Sequence, residues 1–204
     1  MQRPAPMNAP IFYLYRKQSH MRKYIFLFLL VPGFFQFTAC TSSSPQDTFN
    51  TAVLSCNTIH DFATEVLLSQ LESPSVRMVD GDKDKVEQMK RKEVIEDKIQ
   101  VVKDYHDRVK QLKETEDNKE VVGASRALYD YVLPVYEKEY RELARLYDEG
   151  AAKESITSYA QGIQDKYYPG FATLFDKVTA AGKVYAKKHD INVQWDIQTS
   201  PQFK

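Results

Sequence analysis

The sequence predicts an all-α protein: an antiparallel four-helix bundle of long, proline-kinked helices, closed by a short extended strap at the C-terminus. Three observations carry that expectation. After position 46, apolar residues recur at i, i+3, i+4 and i+7, the period of one helix face. Turn-forming residues interrupt the pattern at Ser73-Pro74-Ser75, Asp80-Gly81-Asp82 and Gly150. The period then drops to two at Ile191, Val193, Trp195 and Ile197, the pattern of extended chain.

The first segment places Phe49, Ala52, Val53, Cys56, Ile59, Ala63, Val66 and Leu67 on one helical face. The second is expected from Lys83 to Glu114, a charged rod with a narrow seam of Ile95, Val102, Tyr105, Val109 and Leu112 and with i,i+4 pairs such as Glu87–Arg91 and Asp104–Arg108. The third is expected from Lys119 to Asp148, stopped by Gly150. The fourth is expected from Glu154 to Lys188. Pro134 and Pro169 lie inside the last two. Val121, Leu128, Val132, Val135, Leu143 and Leu146 hold one face across Pro134. Ile156, Ile163, Tyr167, Leu174, Val178, Ala181 and Tyr185 do the same across Pro169. A broken helix would lose that phase, so both prolines read as kinks in continuous helices. Helices of this length would be roughly 40–50 Å long. The alternating stretch that follows reads as a strap laid along the bundle, with Trp195 packed on a helix pair.

The N-terminal region is different in kind. Residues 1–39 hold five basic residues (Arg3, Arg16, Lys17, Arg22, Lys23) and no acidic one. Arg22 and Lys23 precede an unbroken apolar run, Tyr24 to Val31, extended by Phe34 and Phe35 beyond a Pro-Gly break. That run is shorter than the roughly 18–20 residues needed to span a bilayer. Small residues, Thr38 and Ala39, then precede Cys40. This arrangement is that of a cleaved export signal.

Phe37-Thr38-Ala39-Cys40 resembles the lipobox of bacterial lipoproteins, of the looser Bacteroidetes-like kind, with Phe37 where an aliphatic residue is usual. The resemblance implies diacylglyceryl addition to the Cys40 thiol, cleavage before it and acylation of the new N-terminus. It also implies a place in the cell envelope, lipid-anchored to the outer membrane and facing the periplasm or the exterior. The expected organisation is residues 1–20 as a start-site artefact ahead of Met21, 21–39 as signal peptide, 40–46 as lipidated tether and 47–204 as the helical domain.

Without residues 1–39 the chain carries an acidic excess, which weighs against a nucleic-acid partner. Cys56 is then a lone thiol at helical spacing among apolar residues, the pattern of a packed core cysteine. A Cys40 without lipid could instead bridge Cys56 in an oxidising compartment.

The histidines of the helical domain, His60, His106 and His189, are preceded at i−3 by Asn57, Lys103 and Ala186, so the Glu-x-x-His motif of carboxylate-bridged metal bundles is absent. Cys-x-x-Cys-His, Gly-x-Ser-x-Gly, Walker A and Gly-x-Gly-x-x-Gly motifs are absent too. No catalytic residue, metal ligand or cofactor site is therefore expected.

Two features stand out. Tyr129, Tyr136, Tyr140 and Tyr147 fall within about 20° of a common line along an ideal helix, with Tyr159, Tyr167 and Tyr168 following. An amphipathic stripe of this kind suits contact with an envelope protein or a glycan, or else the border of the core. Glu139 lies near the apolar arc of the third segment. Burial would raise its pKa unless it is paired, and rotation to the rim would pair it with a lysine. The expected function is thus a lipid-anchored, non-catalytic binding or assembly module, with the membrane engaged through Cys40. The alternative is a small-ligand pocket at the Pro134 and Pro169 kinks.

Overall fold

In a computed structural model the protein is described over residues 43–73, 76–79 and 81–195. Helix α1 (Pro45–Ala52) begins at Ser44, whose side chain accepts the Asp47 amide at 3.1 Å while Pro45 opens the first turn. Helix α1 gives way to a 3₁₀ segment at Leu54–Ile59 and a tight loop, and helix α2 (Glu65–Glu72) follows. The first segment is therefore broken where one helix was expected. Its hydroxyl-bearing residues bond the local backbone instead: Ser55 to Thr51 O at 2.6 Å, Thr58 to Ser55 O at 2.7 Å, and Thr64 to Asp61 O at 2.7 Å. Ala63 in the loop adopts φ 52°, a conformation costly for a residue with a side chain. Phe49, Ala52, Cys56, Ile59, Ala63 and Leu67 are nonetheless buried as the pattern required, whereas Val66 is exposed.

A β-hairpin replaces the expected start of the second helix. Strands β1 (Val76–Val79) and β2 (Asp82–Gln88) pair antiparallel, with Arg77 opposite Glu87 and Met78 opposite Val86. Gly81 takes φ 84° in the connecting turn, which a residue lacking Cβ adopts freely. Glu87 pairs with Arg77 at 2.8 Å, not with Arg91, and Arg77 reaches Glu93 at 2.9 Å. The described residues are accordingly mostly helical with a small two-stranded sheet rather than helical throughout.

Helix α3 (Arg91–Gln111) starts only after the hairpin. The Asp148 carboxylate accepts the Arg91 and Lys92 amides at 2.9 and 3.0 Å, covering the positive end of the helix. Helix α4 (Lys119–Val135) passes through Pro134 into a π-helical turn at Tyr136–Tyr140 and then into helix α5 (Arg141–Asp148), so the rod is continuous across the proline. Gly150, at φ 68°, ends it, with Ala151 N bonded to Leu146 O at 2.9 Å. Helix α6 (Lys153–Lys188) runs unbroken through Pro169 for 36 residues.

Helix α4 packs between α3 and α6, α5 extends the contact with α3, and α1 lies against α4. Ser43 and Pro45, at the start of α1, sit beside Leu112 and Lys113 at the C-terminal end of α3 and beside Asn118 at the start of α4. The hairpin occupies the other end of α3, about 30 Å away for a helix of 21 residues. After α6, Ile191, Val193 and Trp195 are half-buried and alternate with exposed Asn192 and Gln194. Trp195 meets Phe49 edge-on, with ring centroids 6.0 Å apart. Ile197 lies outside the described residues.

Candidate functional site

The tyrosine stripe of the third segment is core, not surface. Tyr129 and Tyr136 are 0 % exposed and Tyr140 is 1 % exposed, so none of the three can meet a partner in this fold. The reason is long-range. Phe62, delivered by the broken first segment, packs against Tyr136 and Tyr140 with centroids 5.4 and 6.0 Å away, and Phe171 of α6 lies 5.1 Å from Phe62. The hydroxyls are enclosed as well. Tyr129 donates to Ser55 Oγ at 3.0 Å, and Tyr140 accepts the Ala63 amide at 2.9 Å. Tyr136 Oη is buried with no partner in hydrogen-bonding geometry among the described residues. Burial, and next the Asp61 carboxylate, hold the Tyr136 pKa well above its ordinary value. Tyr147 is half-buried under the Arg91 guanidinium, 5.9 Å from its ring centroid.

Beside this cluster Lys98 Nζ binds Asp61 Oδ1 and Oδ2 at 2.8 and 2.9 Å and Thr58 O at 2.6 Å. The pair ties the loop before α2 to α3. Cys56 is buried with Sγ 3.7 Å from Ser125 Oγ, and burial raises its thiol pKa to about 11. Cys40 lies outside the described residues. Comparison with family models, with curated proteins and with solved structures returns no match for this chain.

The groove with a defined chemical character lies between the π-helical turn and α6 and is lined by neither Pro134 nor Pro169. It is open, encloses about 550 Å³, and is lined by Glu139, Glu154, Ser158, Tyr159, Lys166 and Tyr167 among others. Glu139 projects from the π-turn with its side chain only 14 % exposed. Tyr159 donates to Oε2 at 2.7 Å and Tyr167 to Oε1 at 3.1 Å. The Tyr159 hydrogen bond, assisted by Tyr167 and Lys138, outweighs desolvation and holds the Glu139 carboxyl below its ordinary value. The same bond and its burial push the Tyr159 phenol upward, burial contributing most. Glu139 is therefore an ionised carboxylate held by hydrogen bonds from two phenols, and the raised pKa expected of an unpaired buried acid does not arise.

Beside the groove, the side chain of Tyr131 in α4 lies against the backbone of α6. Tyr131 donates to Tyr167 O at 3.0 Å, across the turn that contains Pro169. A Cβ at Gly170 would collide with Tyr131 Oη and lie 2.7 Å from Cζ, so any larger residue there must displace the ring. Sequence reasoning noted Tyr159 and Tyr167 but did not join them to Glu139. It missed Lys166, Ser158 and Glu154. The signal was the face of α6 shared by Tyr159, Ile163, Lys166 and Tyr167, at offsets of four, seven and eight residues.

Proposed function

We propose that this chain is a bacterial envelope lipoprotein, held to a membrane by lipid on Cys40, whose helical domain is a non-catalytic binding or assembly module. The lipobox-like Phe37–Cys40 supports the anchor. Among the described residues no helix is long and apolar enough to cross a membrane, so on this reading the lipid supplies the attachment. Only three residues separate Cys40 from the Ser44 cap of α1, which keeps the start of α1 within about 15 Å of the lipid. The finer architecture belongs to the same proposal: an antiparallel four-segment bundle with its first segment broken, and residues from Ile191 onward acting as a strap. Intact-mass analysis of the processed N-terminus tests the anchor. An unmodified Cys40, or cleavage elsewhere, refutes it.

The observation that carries the assembly reading is the hairpin. Val76, Met78 and Val86 share one face of it and are 61–66 % exposed, at the end of α3 remote from the tether. Aligned apolar residues exposed to this degree suit a partner surface. Crosslinking in intact cells tests this reading. Met78→Asp with Val86→Asp is expected to remove the adduct formed by the wild type and leave the melting temperature unchanged. Unchanged crosslinking refutes the role of the hairpin.

A second reading is favoured by a separate observation. Glu139, fixed by Tyr159 and Tyr167 at the edge of an open groove, is a preorganised polar group in a half-apolar setting, as small-ligand sites are. Thermal-shift screening of the wild type against Glu139→Gln tests it, and a ligand response identical in both proteins counts against it.

A further inference from the structure

The hydrogens and lone pairs of the Glu139 groove define what it can hold. A phenol has one hydrogen and two lone pairs, and an ionised carboxylate has only lone pairs. Both phenol hydrogens are committed internally, Tyr159 to Oε2 and Tyr167 to Oε1 of Glu139. What this wall has left to offer is acceptors, on two phenol oxygens and one carboxylate. Its complement is a group that donates.

The charges narrow the class. Glu154 adds a second carboxylate to the same groove. Two lysines already lean on the wall. Lys166 Nζ sits 4.8 Å from the centroid of the Tyr167 ring, the geometry of an ammonium over an aromatic face. Lys138 Nζ lies 3.5 Å from Glu139 Oε1 although its side chain is 82 % exposed. An ammonium on an exposed, flexible stem has water on every side, and both of these settle against this surface.

From these observations we infer that the groove binds an alkylammonium group, with Glu139 as counter-charge, Tyr159 and Tyr167 as aromatic walls, and Lys166 as the tethered cation that the ligand displaces. The inference rests on the small-ligand reading above and supplies the chemistry of its ligand. A free aliphatic amine and a lysine side chain of a peptide share that chemistry.

The test is titration calorimetry on the full chain in detergent at low ionic strength. The probes are putrescine and spermidine as free amines, a short lysine-containing peptide, maltose as an uncharged hydrogen-bond donor, and inorganic phosphate as an anion. The expected result is that the amines bind, that added salt weakens them, and that Glu139→Gln weakens them by about tenfold or more, as loss of a charge-assisted contact does. Lys166→Met is expected to tighten amine binding severalfold, because it removes the intramolecular competitor and keeps the aliphatic stem. The peptide binding more tightly than the free amines identifies a protein as the source of the group; the reverse identifies a small amine. Preferential binding of maltose or phosphate overturns the ammonium assignment and leaves the groove as a ligand site. Binding of no probe, or amine binding indifferent to Glu139→Gln, overturns the assignment, and silence from every probe overturns the underlying reading too. Should Glu139→Gln fail to fold by circular dichroism, the exposed Lys166→Met decides: weaker amine binding there contradicts the inference.

Discussion

Tyr136 and Tyr140 provide a matched pair of substitutions. Their rings are 5.1 Å apart, both are fully buried, and both pack on Phe62. Their hydroxyls differ. Tyr140 Oη accepts the amide of Ala63, a buried residue whose left-handed backbone is held in place by that bond. Tyr140→Phe keeps the ring and leaves a buried N–H without its acceptor, which costs about 1–3 kcal/mol. Tyr136 Oη meets no partner in hydrogen-bonding geometry and has the Asp61 carboxylate near it, so Tyr136→Phe strands no buried N–H. That change is expected to be neutral within about 0.5 kcal/mol, or stabilising. For a domain of this size about 2 kcal/mol corresponds to a fall of roughly 4–8 °C in melting temperature. The assay is urea unfolding followed by far-ultraviolet circular dichroism, with equal m-values showing that the unfolded state is unchanged. Equal losses for the two variants would falsify the reasoning, as would a stable Tyr140→Phe, since either would mean that the Ala63 loop does not depend on this hydroxyl.

Three further outcomes are expected. Gly170→Ala forces Tyr131 away from a Cβ that would collide with its hydroxyl, breaking the bond to Tyr167 O and costing about 1–3 kcal/mol. The double variant with Tyr131→Leu should lose less than the sum of the single changes, and strict additivity in chemical denaturation would show that the two residues do not clash. Cys56, buried and with a thiol pKa of about 11, should resist iodoacetamide at pH 8 in the folded protein and react once the chain is unfolded in urea; fast native alkylation seen by mass spectrometry would contradict its burial. Glu139 has a folded-state pKa below its ordinary 4.5, so its contribution to stability is present above that value and is lost as pH falls through the folded-state pKa. The stability difference between wild type and Glu139→Gln should therefore shrink on acidification from pH 7 to 3, and a difference that grows would reverse the sign of the argument.

The binding proposals draw on different parts of one molecule. The hairpin lies at one end of α3 and the start of α1 at the other. The groove lies along α6, between its N-terminal turn and Pro169. Loss of the hairpin contact and loss of amine binding are therefore separable by substitution.

Periodicity alone determined which residues are buried over most of the chain. Phe49, Ile59 and Leu67 are in the core although the helix expected to carry them is broken, because burial follows the apolar pattern more closely than the path of the backbone does. The continuity of α6 across Pro169 was legible in the same way, since the apolar face keeps its phase on both sides. Local pattern also aligned the four tyrosines of the third segment. It could not say what would face them, because Phe62 and Phe171 come from segments distant in sequence. Residues 83–90 contain two apolar residues, Val86 and Met89, too few to choose between helix and strand. The choice fell to pairing with β1 and to Arg77 bridging Glu87 and Glu93. Glu139 shows the limit most clearly. Its position in the sequence marks a carboxylate near an apolar arc, and desolvation alone would raise its pKa. Tyr159 and Tyr167, 20 and 28 residues further along, reverse that shift and make the groove. The sign of an electrostatic effect depends on which partners the fold brings within hydrogen-bonding distance, and only the packing of α6 against the π-turn supplies them.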